Sequence, residues 1–351
     1  MPAVVRNNGD MAEDLTPANL TIPRERTLFI VILIFSCLVW LLCIVTIAPI
    51  IGLLVAAFFL WFAHGLLIGR IKSEAVRLDI NQAPGLSQVF ANVCSRLNLA
   101  RVPDLYLMQA GGVLNAFATR FCARDFVVLY SDILEAYGPD SGEIKFLLGH
   151  EIGHIRSRHI LKNMLLLPGL FLPLLGSAYN RACESSCDRH GAFASENEAA
   201  SVRAMMILSG GKEVGRDLLA EAFSNQHHKS RGFFVSLHEV FSSYPTLSKR
   251  VSDLLDLQKH QTTPRPSRNP LAYLLALFVP GARFGILGVA VVFYIVIILF
   301  GAALPMVNQF KKRAEATMQK ARVEAEAARQ DQREQSGEGE EAVPAVSPSP
   351  P

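Results

Sequence analysis

The sequence predicts an α+β protein in which a mainly helical domain with a small sheet is joined to transmembrane helices. Three observations lead to this class. First, no Asp, Glu, Lys or Arg occurs from Leu28 to Gly69, a stretch long enough for two membrane crossings at about 20 residues each. Second, apolar residues recur at helical spacing through much of the chain up to residue 258. Third, three short runs are typical of strands, at 104–109, 115–121 and 126–130.

The composition excludes several classes of function. Half of the 351 residues are hydrophobic and only 19% are charged, so part of the chain is expected in lipid. The net charge is +3 and the basic residues form no stripe interleaved with aromatics, which disfavours nucleic-acid binding. The six cysteines are scattered and do not resemble a disulfide framework. A reduced domain that faces the cytosol fits this usage.

The charge-free stretch is predicted to form a two-span hairpin over residues 27–70, after a flexible tail at 1–26. Pro49 and Gly52 lie near its middle, where the chain is expected to turn. By the positive-inside rule both ends are cytoplasmic, because basic residues flank them, namely Arg24, Arg26, Arg70 and Lys72. A cleavable signal peptide is the alternative, which the late start, the doubled length and the missing Ala-x-Ala site disfavour.

The rest of the chain divides into a water-soluble domain, a second membrane region and a tail. The domain is predicted over 71–258, and its segment 164–179 is apolar but interrupted by two prolines. That segment is expected to contact the membrane, the alternative being that it packs as a hydrophobic connection against the core. A linker follows at 259–270, then a C-terminal membrane region at 271–306 with a span at 285–305, and a charged, Pro- and Ser-rich tail at 307–351. The side of the membrane that holds this tail stays open.

The segment His150-Glu151-Ile-Gly-His154 indicates a catalytic zinc site. Residues four apart lie on one face of a helix, so the two imidazoles point to one position, as a zinc ion requires. Glu151 is rotated by about 100° around the helix, where its carboxylate can take a proton from water without being a ligand. We predict that this helix begins after a cap at Asp140 or Ser141 and runs from Gly142 past His159. A solvent-facing pair of histidines is the alternative, which the preceding apolar residues disfavour.

A third ligand is expected about 30 residues later, in a helix that carries Glu184 and Asp188 four positions apart. Glu184 can complete the zinc shell, and Asp188 can accept the free ring N–H of a ligand histidine and so determine its tautomer. An acidic surface face is the alternative. The flanking Cys183 and Cys187 are predicted to be reduced packing residues. His159 and His190 lie off the ligand face and are expected at the surface or behind the ligands.

Three segments in this order, LNAFATR, LLGHEIGHIRSRHIL and CESSCDRHGA, resemble the HtpX-type zinc metalloproteases, which are related to the CAAX-prenyl endopeptidases. The resemblance covers about residues 70–255. It implies a zincin-like (gluzincin) fold and one Zn²⁺ per chain, with Glu151 as general base and three ligands, His150, His154 and Glu184. It also implies that the strand holding Asn115, Ala116 and Phe117 borders the cleft, where substrate adds as an extra strand.

Two positions depart from the family pattern. Cys187 stands where the family usually has alanine. Tyr244 stands where relatives often have histidine, whereas the following Pro245 and Arg250 are retained. We expect the Tyr244 hydroxyl to be a candidate donor to the oxyanion, the alternative being that it only packs. Arg250 is assigned, with Asp188, to the groups that support the ligands.

The sequence therefore predicts a membrane-anchored zinc endopeptidase that cleaves membrane or unfolded proteins. The resemblance to HtpX-type proteases implies a role in stress-related quality control. Its partners would be a protein or peptide substrate and the lipid bilayer, without nucleic acid, and its oligomeric state stays open. By resemblance we expect a multi-pass protein of a bacterial inner membrane with its protease domain in the cytoplasm. The alternatives are a non-catalytic scaffold or chaperone-like protein with a structural zinc site, and a metal transporter. Glu151 disfavours the scaffold, and ligands outside the spans disfavour the transporter.

Overall fold

The computed structural model describes residues 15–46, 48–277, 305, 308–329 and 332. Two long apolar helices come first, α1 (Pro23–Thr46) and α2 (Ala48–Glu74). By length and composition both can cross a membrane, and only 11% and 6% of their most apolar windows are buried inside the protein. A core helix of a soluble protein would bury most of that surface. Pro49 and Gly52 lie at the N-terminal end of α2 rather than in the turn before it, where a proline costs no helical hydrogen bond.

The segment just before α1 is docked, which differs from the flexible tail expected up to residue 26. Leu20 is fully buried in the main core. The backbone N–H of Ile22 donates to Ser186 Oγ at 3.1 Å. α1 itself begins at Pro23, four residues before the predicted start of the hairpin. Residues 15–22 therefore hold the start of α1 against the helix that carries Ser186.

A four-stranded mixed sheet follows, in the order β1-β2-β4-β3. β2 and β4 are parallel, and the other two pairs are antiparallel. The strands are β1 (Val76–Arg77), β2 (Asp104–Met108), β3 (Ala116–Phe121) and β4 (Arg124–Tyr130). The three strands predicted from the sequence are confirmed as β2, β3 and β4. Within the described residues β3 pairs only with β4, so its other edge is available to another strand.

Helices build the rest of the domain. Two of them, α5 and α8, cross at the centre. Of the two caps predicted for α5, Asp140 or Ser141, the structure has Ser141, whose hydroxyl accepts from the Ile144 N–H at 3.1 Å. In chain order the helices are α3 (Pro84–Arg96), α4 (Ser131–Tyr137), α5 (Gly142–Arg156), α6 (His159–Leu165), α7 (Leu167–Leu170), α8 (Leu175–Ser195), α9 (Glu198–Val214), α10 (Ala220–Lys229), α11 (Phe233–Phe241), α12 (Leu247–Gln258) and α13 (Pro270–Ala276).

The crossing of α5 and α8 depends on glycines. A Cβ added to Gly149 would lie 2.4 Å from the Cβ of Ala194, and one added to Gly191 would lie 2.6 Å from the carbonyl oxygen of Phe146. No side chain fits at such distances, so the two helix backbones approach closely here. This contact brings the functional residues of both helices to one place.

The predicted continuation of α5 past His159 is wrong. The helix ends at Arg156, and Arg158 adopts the left-handed conformation with φ of 55°. A new helix, α6, begins at His159. Because a left-handed residue cannot continue an α-helix, the chain changes direction, and His159 turns back toward α5.

The apolar segment 164–179 packs along α1 as a hydrophobic connection. Ser36 Oγ donates to the carbonyl of Leu166 at 3.2 Å and accepts from the N–H of Gly169 at 3.0 Å. Trp40 Nε1 donates to the carbonyl of Leu165 at 3.0 Å. These side chains satisfy backbone groups that the prolines and helix ends leave open.

After α12 the chain is extended from 261 to 269 and then forms α13. Two salt bridges attach this linker to the domain, Arg265 to Asp253 at 2.5 Å and Arg268 to Glu239 at 2.7 Å. The predicted span at 285–305 lies outside the described residues except for 305. Of the predicted tail, 308–329 is described and is helical.

Candidate metal centre and active site

Three side chains converge where α5 crosses α8. His150 Nε2 lies 3.3 Å from Glu184 Oε2, and His154 Nε2 lies 3.6 Å from Glu184 Oε1. The ligand atoms of all three residues lie within 4.8 Å of one another. Two imidazole nitrogens and a carboxylate oxygen at this separation fit a zinc ion with one open position. The predicted ligand set thus comes together in the fold, although α5 and α8 are separated by two short helices.

The charges around these groups favour a cation. Burial would raise the pKa of Glu184, but the hydrogen bond with His150 and the nearby imidazoles lower it to about 2. Burial would lower the pKa of His150, but the hydrogen bonds to Asp188 and Glu184 raise it to about 10. Burial lowers the pKa of His154 to about 3. Without a metal, the site therefore holds one positive charge, the His150 imidazolium, between the ionised carboxylates of Glu184 and Asp188, while His154 stays neutral. A bound divalent metal would replace the Nε2 proton of His150.

Behind His150 a second carboxylate is held by an arginine. His150 Nδ1 lies 2.9 Å from Asp188 Oδ1. Arg250, on α12, donates through Nε to Asp188 Oδ2 at 2.8 Å and through Nη2 to Asp188 Oδ1 at 2.5 Å. Burial would raise the pKa of Asp188, but the Arg250 charge lowers it to about 2. Asp188 accepts the Nδ1–H of His150, which leaves the Nε2 lone pair for a metal.

Glu151 lies between the ligands and the sheet. Only 7% of the surface of Glu151 is exposed, and this burial raises the pKa of its carboxyl. The carboxylate accepts a hydrogen bond from the backbone N–H of Ala118 in β3. One face of Glu151 is thereby bound to the edge strand, and the residue stays close to the ligands.

A cavity of about 590 Å³ surrounds these groups, and its lining includes Asn115, Ala116 and Phe117 as well as Ala118. The carbonyl of Asn115 accepts from the N–H of Tyr130 in β4 at 3.1 Å. Backbone groups alternate between the two edges of an antiparallel strand, so Ala116 and Ala118 direct theirs toward the cleft. Sequence reasoning named the strand but missed Ala118, because the register of β3 against β4 decides which residues face outward.

Tyr244 also lines the cavity, from the loop between α11 and α12. The residue is 60% exposed. Its backbone is held at both ends by Ser242, whose hydroxyl donates to the Tyr244 carbonyl at 2.8 Å and accepts from its N–H at 3.2 Å. The aromatic ring is not a core group, which disfavours the alternative that Tyr244 only packs.

His159 lies next to the ligands, not at the surface. It is 3% exposed, and its Nδ1 is 3.0 Å from Nδ1 of His154. Its Nε2 is 3.1 Å from Oε1 of Glu25, which belongs to the first turn of α1. No sequence signal pointed to Glu25, since it preceded the predicted hairpin and lies far from the motif in the chain. His190 is buried as well and contacts Arg156 at 3.0 Å.

The two cysteines beside Glu184 are buried thiols. None of the six cysteines, each of them within the described residues, forms a disulfide bond. Burial raises the pKa of Cys183 and that of Cys187 well above the ordinary value of a thiol. Thiols that stay protonated are poor nucleophiles and poor metal ligands, which agrees with the predicted packing role.

Known proteins resemble the part of this chain that contains the strands β2 to β4 and the helices α5 and α8. The profile of peptidase family M48 matches residues 81–178 and 166–258. The plastoglobule-localized metallopeptidase 48 of Arabidopsis thaliana chloroplasts is 26% identical over 169 residues, which cover 43% of this chain and 48% of that protein. The match thus spans about half the length of this relative. No solved structure matches significantly. The family profile covers more than half of the 351 residues, including both helices of the metal centre, and the chain therefore belongs to peptidase family M48.

Proposed function

We propose that the protein is a membrane-anchored, zinc-dependent endopeptidase with a gluzincin site. His150, His154 and Glu184 would hold one zinc ion, and Glu151 would be the general base. The observation that carries this proposal is the convergence of three ligand atoms within 4.8 Å beside a fourth, non-ligand carboxylate in an open cleft. A structural zinc site is usually closed by four protein ligands, so the open cleft argues against the non-catalytic scaffold.

Zinc would act here as a Lewis acid that activates water near neutral pH and polarises the scissile carbonyl. Glu151 would take the proton of the attacking water and later pass it to the leaving amine. Its buried position suits both steps, because a carboxyl with a raised pKa can accept and return a proton. Asp188 and Arg250 would keep the His150 ring in the tautomer that presents Nε2.

Substrate would bind as an additional strand on the outer edge of β3. The backbone groups of Ala116 and the carbonyl of Ala118 would pair with it, since the Ala118 N–H already donates to Glu151. The adjacent Asn115 and Phe117 would border the bound peptide. In this binding mode the protein recognises the backbone of the substrate rather than its side chains, so extended or unfolded segments are favoured. We assign Tyr244 as the candidate donor to the oxyanion, since the residue lines the same cavity from the loop between α11 and α12.

We further propose that α1 and α2 span a membrane and that the cleft lies at its surface. The turn end of β3 contacts the apolar part of α2, because His64 Nε2 lies 2.9 Å from Thr119 Oγ1 and the rings of Trp61 and Phe121 stack at 6.1 Å. The connection at 164–179 contacts the second half of α1 through Trp40. Both cleft-side elements thus reach the level of the spans, which favours substrates in or near the bilayer.

The flanking arginines and lysines favour a cytoplasmic protease domain over residues 71–258. A bacterial inner membrane and a role in quality control follow from the resemblance to HtpX-type proteases. A further span at 285–305, within a C-terminal membrane region at 271–306, belongs to the same proposal.

The decisive experiment replaces Glu151 with glutamine in the full chain, purified in detergent. Glu151→Gln should keep one zinc per chain, measured by elemental analysis, and lose cleavage of an unfolded reporter protein. Glu143→Gln is the matched control, because Glu143 lies on the same helix but pairs with Arg203 at the surface. It should cleave as the wild type does. Cleavage by Glu151→Gln at the wild-type rate would refute the proposed function.

A further inference from the structure

We propose that Glu25 and His159 form a hydrogen-bonded chain that positions His154 for the metal, so that α1 completes the zinc site. The inference rests on the proposed role of His154 as a ligand. The chain of contacts is continuous: Glu25 Oε1 to His159 Nε2 at 3.1 Å, then His159 Nδ1 to His154 Nδ1 at 3.0 Å. Both positioning residues are buried, with 1% exposure for Glu25 and 3% for His159.

The proton positions in this chain follow from the chemistry of its end. An ionised carboxylate can only accept, so His159 must carry its proton on Nε2. With its proton on Nε2, the His159 ring offers Nδ1 as an acceptor, and the 3.0 Å contact between the rings fits the tautomer of His154 that has its hydrogen on Nδ1. That tautomer leaves a lone pair on His154 Nε2, the atom that faces Glu184. Glu25 thus determines, through one intervening imidazole, which nitrogen of His154 is offered to the metal.

Two features support the ionised state of Glu25. Lys162 Nζ lies 3.5 Å from the same Oε1, and a nearby ammonium stabilises a buried carboxylate. Glu25 also belongs to the first turn of α1, where the helix dipole favours a negative charge. The break at Arg158 is what allows His159 to reach both partners, since a continuous helix would carry it away from His154.

A second metal ion bound by Glu25, His159 and Cys183 is the competing interpretation, because ligand atoms of these residues also lie within 4.8 Å of one another. Three observations oppose it. The ammonium of Lys162 already lies 3.5 Å from the Glu25 carboxylate. Both ring nitrogens of His159 have hydrogen-bonding partners, and burial keeps Cys183 protonated. The cluster is therefore better explained as the support of one ligand than as a site of its own.

The test measures zinc affinity by chelator competition on the full-length chain in detergent, without any activity assay. Groups that orient a histidine ligand typically contribute about 10- to 100-fold to metal affinity. His159→Leu and Glu25→Leu should each weaken zinc binding by about that factor. Because the two residues act in series, the double variant should lose no more than the weaker-binding single variant.

Conservative and control variants separate positioning from a general loss of structure. His159→Gln should recover most of the affinity, since its amide can donate to Glu25 and accept from His154. His190→Gln should bind zinc as the wild type does, because His190 is buried on α8 and bonds to Arg156 and to the Ser186 carbonyl instead. Thermal unfolding of the chelated protein identifies any variant that fails to fold, and His159→Gln and Glu25→Leu then carry the test.

Wild-type affinity in His159→Leu, or losses that multiply in the double variant, would overturn the positioning chain. Two zinc ions in the wild type and one in His159→Leu would overturn it in favour of the second metal. Zinc binding that persists undiminished in His150→Ala would instead refute the ligand set of the proposed function, which separates the two failures.

Discussion

The two histidines of the motif are supported from opposite parts of the molecule. His150 contacts Asp188, which Arg250 holds, and both of these belong to the protease domain. His154 contacts His159, which is held by Glu25 from the apolar helix α1. The first support is a direct carboxylate, and the second reaches a carboxylate only through another imidazole. One half of the candidate metal centre is therefore internal to the domain, and the other half depends on the docking of α1.

The largest expected effect is on the His150 side. Arg250→Leu would leave the Asp188 carboxylate buried without its countercharge, and removing one partner of such a pair costs about 3–5 kcal/mol. Thermal or denaturant unfolding of the purified chain measures this loss. If Arg250→Leu unfolds like the wild type, the Asp188–Arg250 pair is not what stabilises this half of the site.

The next effect concerns the proposed catalytic role of Tyr244. Tyr244→Phe removes only the hydroxyl, and the loss of one oxyanion donor lowers kcat by about 10²–10³. KM and zinc content should stay close to wild type, which steady-state kinetics and elemental analysis check. An unchanged kcat would show that Tyr244 does not stabilise the oxyanion, and the catalytic role would then rest on the metal and Glu151 alone.

A smaller effect tests the crossing on which both sides depend. Gly149→Ala places a methyl 2.4 Å from the Cβ of Ala194, and such overpacking costs about 1–3 kcal/mol. Gly85→Ala is the control, because a Cβ at Gly85 meets nothing within 4 Å. The difference between the two unfolding free energies is the measurement. Equal stability of both variants would mean that α5 and α8 can separate without loss.

The smallest effect is expected on the α1 side. Lys162 is 30% exposed and lies 3.5 Å from Glu25, and partly exposed ion pairs contribute about 0–1 kcal/mol. Lys162→Met should therefore lower stability only slightly. Both variants are compared in the same unfolding experiment. If Lys162→Met lowers the free energy of unfolding as much as Arg250→Leu does, the supports of His150 and His154 do not differ in stability as expected.

Much of this architecture is readable from local patterns. The strands β2 to β4 show as β-rich runs, Ser141 shows as a helix cap, and the spacing of His150 and His154 predicts a shared helix face. These features depend on neighbours within a few residues, so the sequence displays them. The break at Arg158 is different. The sequence predicts one helix from Gly142 past His159, whereas the chain turns at Arg158. This turn is what brings His159 to His154 and Glu25.

Local patterns in the sequence identify the chemical groups, namely the HEIGH segment, the carboxylates of Glu184 and Asp188, and a charge-free stretch of hairpin length. The partners of these groups follow from the folded arrangement and not from any local pattern. Arg250 reaches Asp188, Ala118 rather than Phe117 turns its N–H to Glu151, and Glu25 reaches His159 across more than a hundred residues. The physical reason is that a hydrogen bond depends on the final distance and direction of two atoms. Helix crossing, strand register and the docking of α1 set these, and no local pattern records them.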